Sequence, residues 1–233
     1  MGKDTTISWT DASANESFGC RKVDAACENC YMFRMRKAWG QKGTDIVRFD
    51  LHRLAAKIKA WPVDKHFIFL DDMSDLFGEF NDDQRIEDTL HIVVEGNPDR
   101  VFQLLTKRIG RAMVFFRKRK VPDNVWLGCS IGERSRLKRL EQLRPIKAKV
   151  RFVSFEPVIE DLGSPDLTGI DWIIIGGESG SNPREMKPEW AENIVVTARK
   201  VGAKVWFKQM GGRGGGGAGG DLLNGRQIRE MPN

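Results

Sequence analysis

The sequence predicts an α/β protein with parallel strands, arranged as a partial (β/α)6-type barrel, and three observations carry that prediction. Apolar runs of strand length alternate with amphipathic windows of helical periodicity along most of the 233 residues. Several of the runs are apolar without interruption, as in strands covered on both faces. Each then breaks abruptly into polar residues, the pattern of a parallel strand that delivers its C-terminal end to a rim of loops. A doubly wound open sheet is the alternative architecture.

In chain order, residues 7–9 alternate and read as a first strand, leading into a polar, turn-rich loop. Residues 29–39 read as a helix ended by Gly40 and Gly43. Residues 48–61 place Leu51, Leu54, Ala55 and Ile58 on one helical face, and Pro62 stops that helix. The run His66-Phe67-Ile68-Phe69-Leu70 is a buried strand opening into Asp71-Asp72-Met73-Ser74-Asp75. The cycle recurs as a helix over 84–95, a strand over 100–105 ending in Thr106-Lys107-Arg108, and a helix over 109–118. A strand from 125–127 runs into Cys129-Ser130, and a helix covers 135–143. Strand 150–153 ends in Ser154-Phe155-Glu156-Pro157, and strand 172–175 ends in Gly176-Gly177-Glu178. A helix over 188–201 precedes a last strand, 205–207, ending in Lys208-Gln209.

No sequence repeat of fixed period is present, and about six or seven strands imply an incomplete or small barrel rather than the full eightfold one. Residues 1–210 are expected to form a single domain. Residues 211–220 are nearly all glycine, which predicts a flexible loop. Leu222, Leu223 and Ile228 predict that 221–233 packs back on the body.

Hydrophobic residues make up 40% and charged residues 30% of the chain, which fits a soluble globular protein and argues against wholesale disorder. The first residues lack an apolar signal core and no run approaches membrane-spanning length, so a cytoplasmic location is expected. There, reducing conditions disfavour structural disulfides and turn clustered cysteines toward metal or redox chemistry. The net charge of +6, with basic clusters at 34–37, 117–120 and 134–139, admits a nucleic-acid partner, although each cluster alone reads as a solvated helix face.

Three of the four cysteines, Cys20, Cys27 and Cys30, lie in the loop after the first strand as Cys-x6-Cys-x2-Cys. Three occupants compete for them. A structural zinc site wants four ligands, and no second Cys or His pair follows at finger-like spacing. Three thiolates on a four-iron cluster leave one iron open for a substrate or cofactor. Inert thiols fit the spacing poorly. Cys129, inside a strand, reads as a small buried hydrophobe.

The polar strand-end residues form the second clue: Asp71, Asp72, Ser74, Asp75, Thr106, Lys107, Ser130, Ser154, Glu156, Gly176, Gly177, Glu178, Lys208 and Gln209. Helix capping accounts for residues such as Ser74 and Asp75. It does not account for Lys208 or for Gly-Gly-Glu after an apolar strand. Gly176 and Gly177 would let backbone approach a ligand, and Glu178 would accept from an amine or hydroxyl. Tyr31, the only tyrosine, is placed to pack over a cofactor or to pack ordinarily. His66 and His91 read as structural or surface residues, and no phosphate-binding P-loop, zinc-protease or serine-hydrolase motif is present.

The ordered set Ile7-Ser8-Trp9-Thr10-Asp11-Ala12, Gly19-Cys20, Cys27-Glu28-Asn29-Cys30-Tyr31, Met73-Ser74-Asp75-Leu76-Phe77, Leu105-Thr106-Lys107-Arg108, Val125-Trp126-Leu127-Gly128, Ser154-Phe155-Glu156-Pro157, Asp171-Trp172-Ile173-Ile174-Ile175-Gly176-Gly177-Glu178-Ser179-Gly180 and Phe207-Lys208-Gln209 resembles a phage-associated three-cysteine family, largely uncharacterised and regarded as radical S-adenosylmethionine (SAM)-like. The resemblance runs over nearly the whole chain. It implies a radical SAM-like partial barrel in which Cys20, Cys27 and Cys30 hold a [4Fe-4S] cluster whose open iron takes the amino and carboxylate groups of SAM. Cleavage of SAM to a 5′-deoxyadenosyl radical would follow, with electrons from a donor such as a flavodoxin or ferredoxin.

Two departures from the radical SAM class accompany the resemblance. The first cysteine gap is three residues longer than the usual Cys-x3-Cys-x2-Cys, and the strand-two rim carries Asp71-Asp72-Met73-Ser74-Asp75 where the class often has Gly-Gly-Glu. The resemblance therefore implies SAM binding by the strand-two loop through Asp72, Ser74 or Asp75, with Ser130 and Glu156 toward the ribose or carboxylate. Lys107, Glu178, Lys208 and Gln209 are left for substrate. It also implies a nucleic acid or modified nucleotide as substrate, DNA base modification as the activity class, and the host cytoplasm as its location. The competing expectation is a non-catalytic zinc or iron–sulfur module that grips nucleic acid.

Overall fold

The computed structural model describes residues 4–38, 40 and 45–233. Seven strands make up its main sheet: β1 (Ala12–Ala14), β2 (Phe67–Leu70), β3 (Val101–Thr106), β4 (Val125–Ser130), β5 (Val150–Phe155), β6 (Trp172–Gly176) and β7 (Lys204–Gln209). Their order across the sheet is their order along the chain. A doubly wound sheet reverses its strand order at a switch point, so this unreversed order is that of a partial barrel. The helices are α1 (Tyr31–Ala38), α2 (Leu51–Lys59), α3 (Asp83–Asp88, continued in wider turns over Thr89–Glu95), α4 (Ile109–Phe116), α5 (Lys138–Leu143) and α6 (Pro188–Lys200).

The chain divides into two compact units, each assembled from separate stretches. The first comprises the chain up to Arg21, Met32–Leu127 and Ile146–Lys149. Its strands pair in parallel, Ala12 opposite Ile68 and Phe67 opposite Val101. Asp50 begins α2 by accepting from Arg53 N at 2.7 Å, and Leu51, Leu54 and Ile58 are buried as their spacing predicts. Phe77 meets the rings of Phe115 and Phe116 edge-on, with centroids 6.1 and 5.8 Å apart.

The second unit comprises Lys22–Tyr31, Gly128–Pro145 and Val150–Asn233. Phe152 pairs with Trp172 across β5 and β6, and Val205 pairs with Ile173 across β7 and β6, both in parallel. A side chain at Gly128 would lie 2.6 Å from the Phe152 ring, so glycine is what lets that ring lie against β4. The last residues run along β7: Phe207 N donates to Ile228 O at 2.8 Å and Glu230 N to Val205 O at 2.9 Å. This pairing covers backbone that an edge strand would otherwise expose.

Three local expectations change. Residues 7–9 form no strand; the first strand is Ala12–Ala14, whose small buried residues carry little pattern signal. Trp9 instead lies against Phe69, ring centroids 4.7 Å apart, and Asp11 pins the ladder by accepting from Phe67 N at 2.8 Å. Strands β3, β5, β6 and β7 run one or two residues into stretches expected to be loop, because parallel pairing continues for as long as backbone partners face one another. The glycine-rich stretch is hydrogen-bonded: Met210 N donates to Gly220 O and Gly211 N to Ala218 O, both at 2.9 Å. Gly211 and Gly219 have φ of 87° and 78°, so they close the turn in backbone that other residues seldom adopt. Of the helix expected over 29–39, Tyr31–Ala38 forms, while Trp39 and Gly43 lie outside the described residues. Among the described residues no helix is long and apolar enough to cross a membrane.

Candidate functional site

In the first unit, the C-terminal ends of β1, β2 and β3 are tied together by side chains. Asp75 is the centre. Its carboxylate accepts from Thr106 Oγ1 at 2.7 Å, Phe77 N at 3.1 Å, Lys107 N at 3.3 Å and Arg108 Nη1 at 3.0 Å. Arg108 also meets Glu79 at 2.8 Å through Nε, and donates to Arg21 O at 3.1 Å and toward Cys20 Sγ at 3.9 Å. Burial works to lower the Arg108 pKa, but Glu79, Asp75 and Cys20 together push it above its ordinary value. Arg108 therefore sets a permanent positive charge beside the first cysteine.

Asp71 and Glu16 form a buried acidic pair behind this rim. Glu16 meets Arg85 at 2.8 Å and accepts from Asn81 Nδ2 at 3.1 Å. Asp71 takes the left-handed conformation, φ 69°, which lets one of its oxygens accept from Glu16 N at 2.8 Å. Burial, followed by the Glu16 charge, raises the Asp71 pKa well above the usual carboxylate range. Asn15 donates to Asp72 at 2.6 Å and accepts from Met73 N at 2.8 Å. Ser74 hydrogen-bonds Ser17 at 2.7 Å and donates to Gly19 O at 2.9 Å, fixing the backbone just before Cys20. Half-buried Asp72 and Lys107 thus stand among residues engaged in bracing.

In the second unit, three arginines hold the segment that carries Cys27 and Cys30. Arg139 meets Asp24 at 2.7 Å, both nearly or wholly buried, and donates to Ser130 O at 2.7 Å. Arg136 donates to Val23 O at 3.3 Å. Arg184 donates to Ala25 O at 2.9 Å and lies 3.8 Å from Glu28, while its Nε and backbone N each reach Glu178 Oε2 at 2.9 Å. Arg184 Nη2 also pairs with Glu178 Oε1. Asn29 completes the knot by donating to Glu178 Oε2 at 2.8 Å and Asn182 O at 3.1 Å. Burial works to raise the Glu178 pKa, but the bonds from Arg184 and Asn29 outweigh it and hold the group below its ordinary value. Gly132 leaves room for the loop, since a side chain there would lie 2.7 Å from Ala26 Cβ.

Along the strand ends of this unit, Glu156 pairs with Lys208, and Ser130 donates to Glu156 O at 3.2 Å. Gly176 faces the Glu156 side chain, and Gly177 faces Met210 backbone, where an added Cβ would lie 1.9 Å from the carbonyl oxygen. The approach these glycines allow is therefore that of the chain itself. Gln209 is buried; it donates to Ser179 Oγ at 2.7 Å and Gly177 O at 3.1 Å and accepts from Gly217 N at 2.6 Å, bracing the glycine-rich turn. Tyr31 begins α1 and is partly exposed. Cys129 is buried, which pushes its thiol up to about 12.

Sequence reasoning missed Arg108, Arg139, Arg184, Glu16, Asp24 and Asn29 as parts of the site. Arg108 had a signal, since it follows Lys107 at a strand end. Nothing local marks Arg184, which lies far along the chain from the cysteines it supports.

None of the cysteines is in a disulfide. Cys30 N donates to Cys27 O at 3.3 Å across a single turn. The donor set, three thiols in one braced loop, fits a three-thiolate iron–sulfur cluster in its chemistry. Among the described residues, no group of three His, Cys, Asp or Glu side chains is already arranged around a metal position.

A family model described as a protein of unknown function (DUF5131) matches residues 4–232, and the chain belongs to that family. No curated protein and no solved structure matches the chain.

Proposed function

We propose that this member of an uncharacterised family is a radical SAM enzyme in which Cys20, Cys27 and Cys30 ligate a [4Fe-4S] cluster. The observation that carries the reading is the three-thiol loop after the first strand of a parallel α/β chain, braced by arginines on the buried carboxylates Asp24 and Glu178 rather than by disulfides. Such bracing suits ligands that must be presented in a fixed geometry. When bound, the cluster would supply the electron that cleaves SAM to a 5′-deoxyadenosyl radical.

The chain's own residues then divide into two groups. Asp75, Glu178 and Gln209 are spent on internal bonds and shape the strand ends. Asp72, oriented by Asn15, is assigned to the SAM ammonium, and Ser130 and Glu156 to its ribose or carboxylate. Lys107 and Lys208 are assigned to substrate, Lys208 exchanging its bond to Glu156 for one to an anionic group.

A nucleic acid or modified nucleotide is the proposed substrate, supported by the net charge of +6 and the exposed Arg117 and Lys118 after α4. The cluster at 134–139 adds little to this, because Arg134, Arg136 and Arg139 pair with Asp161, Glu133 and Asp24. A flavodoxin or ferredoxin is the proposed electron donor. Anaerobic purification with iron, sulfide and zinc analysis tests the reading. A brown protein with about four irons per chain that forms 5′-deoxyadenosine from SAM after reduction supports it. A colourless zinc protein overturns it in favour of a non-catalytic zinc module.

A further inference from the structure

We infer that Arg184 and Glu178 are positioning residues that latch the loop between Cys27 and Cys30 and set how those two thiols are presented. The inference rests on the iron–sulfur reading for its consequence, but on geometry for its content. The segment from Ala25 to Asn29 contains Cys27 and ends beside Cys30, and its backbone-to-backbone bonds are short-range: Cys27 N to Asp24 O and Glu28 N to Ala25 O at 3.1 Å, and Cys30 N to Cys27 O at 3.3 Å. Such a stretch holds one conformation when something outside it fixes both ends.

Arg139 fixes the entry through Asp24. The exit is held chiefly by the charged pair Glu178 and Arg184, with Asn29 Nδ2 also donating to Asn182 O and Lys22 Nζ to Glu28 O, each at 3.1 Å. Glu178 takes Asn29 and Arg184 on the same oxygen, Oε2, each at 2.8–2.9 Å, and Arg184 on its other oxygen. Arg184 then reaches back to Ala25 O at 2.9 Å and toward Glu28 at 3.8 Å, so one guanidinium spans the turn that carries Cys27. Glu178 is itself held from behind, because Gly212 N donates to its backbone oxygen at 2.8 Å. Its carboxylate is 4% exposed and has its oxygens occupied by these bonds, which removes it as a substrate group and leaves it a fixed anchor. A guanidinium fork can serve carboxylate and carbonyl at once, whereas a lysine can serve one.

The test uses full-length protein and the variants Arg184→Ala, Arg184→Lys and Glu178→Gln. The first measurement is the labelling rate of each cysteine by a thiol reagent, read by mass spectrometry under anaerobic conditions without added iron, with buried Cys129 as internal control. The second is the rate at which a chelator strips iron from reconstituted protein, followed by the visible absorbance of the cluster. In Arg184→Ala, labelling of Cys27 and Cys30 is expected to rise about tenfold while Cys129 stays slow, and iron is expected to leave roughly 10–100 times faster. Arg184→Lys is expected to fall between wild type and Arg184→Ala, and Glu178→Gln to follow Arg184→Ala. Unchanged labelling and unchanged iron loss in Arg184→Ala overturn the latch. Should wild type take up no iron, the cluster reading fails and labelling alone judges the latch. Should Arg184→Ala not fold, Glu178→Gln, which keeps the shape of the side chain, decides it by the same two rates.

Discussion

Replacing Asp75 with alanine separates two roles for the strand-two loop, one in which this carboxylate receives a ligand and one in which it holds the rim together. Asp75 and Arg108 side chains are 7% and 6% exposed and meet at 3.0 Å. Removing the carboxylate leaves the guanidinium buried with Glu79, which is itself 56% exposed, as its remaining acidic partner. Thr106 Oγ1 and Phe77 N lose their acceptor in the same step. Breaking one side of a buried ion pair costs about 3–5 kcal/mol. For a chain of this size, at about 2–4 °C per kcal/mol, the melting temperature is expected to fall by roughly 6–20 °C. Asp75→Asn retains an acceptor but not the charge and should lose about half as much, within the roughly 1.5–3 kcal/mol of a hydrogen bond to a charged group. Urea unfolding followed by tryptophan fluorescence gives the free energies, and SAM binding to the folded variants is measured alongside. A loss below about 1 kcal/mol, accompanied by abolished SAM binding, would refute the bracing role and make Asp75 a ligand group.

Asp71 supplies a pH test. Its folded pKa is raised above that of the unfolded chain, so the folded state holds this proton to higher pH. Stability should therefore be fullest below the unfolded carboxylate range near pH 4 and decline as pH rises through the folded value, by at most about 1.4 kcal/mol per pH unit. Asp71→Asn keeps the acceptor for Glu16 N and suits φ 69°, so it should be more stable than wild type at neutral pH and lack that component of the slope; an identical slope in both proteins counts against it. Cys27→Ala is expected to retain the circular dichroism of the wild type but lose bound iron, and unchanged iron content removes Cys27 from the ligand set. Gly177→Ala should lower the denaturation midpoint by the equivalent of roughly 1–3 kcal/mol, because the new Cβ meets the Met210 carbonyl. Gly215→Ala, with nothing within 4 Å, serves as its neutral control, and equal midpoints for the two would remove the close-approach argument.

Much of the fold was legible locally because burial on both faces leaves a direct mark on composition. Trp172-Ile173-Ile174-Ile175 is apolar throughout and forms the wholly buried β6, and Val125 to Ser130 forms the equally buried β4. Leu51, Leu54 and Ile58 repeat at helical spacing and face the core of the first unit. The first strand escaped because Ala12, Ser13 and Ala14 are buried but small, and small residues leave no apolar periodicity to read. The glycine-rich turn escaped for a different reason. Glycine's cost is reckoned for a chain without partners, whereas Gln209 and the backbone of Met210 and Gly211 supply them.

For the site, the sequence by itself determined the inventory: three thiols at Cys20, Cys27 and Cys30 in the loop beyond the first strand, and a set of polar residues at strand ends. These follow from spacing and from the abrupt ends of apolar runs, which are properties of neighbouring residues. Only the tertiary structure decided which of those polar groups are already spent. Asp75 is committed to Arg108, Glu178 to Arg184 and Asn29, and Gln209 to the glycine-rich turn. Asp75 and Arg108, and Asn29 and Glu178, are far apart in the chain, and such groups acquire their partners only when folding brings those segments together. The sequence counts the donors and acceptors; packing decides which of them are left to meet a ligand.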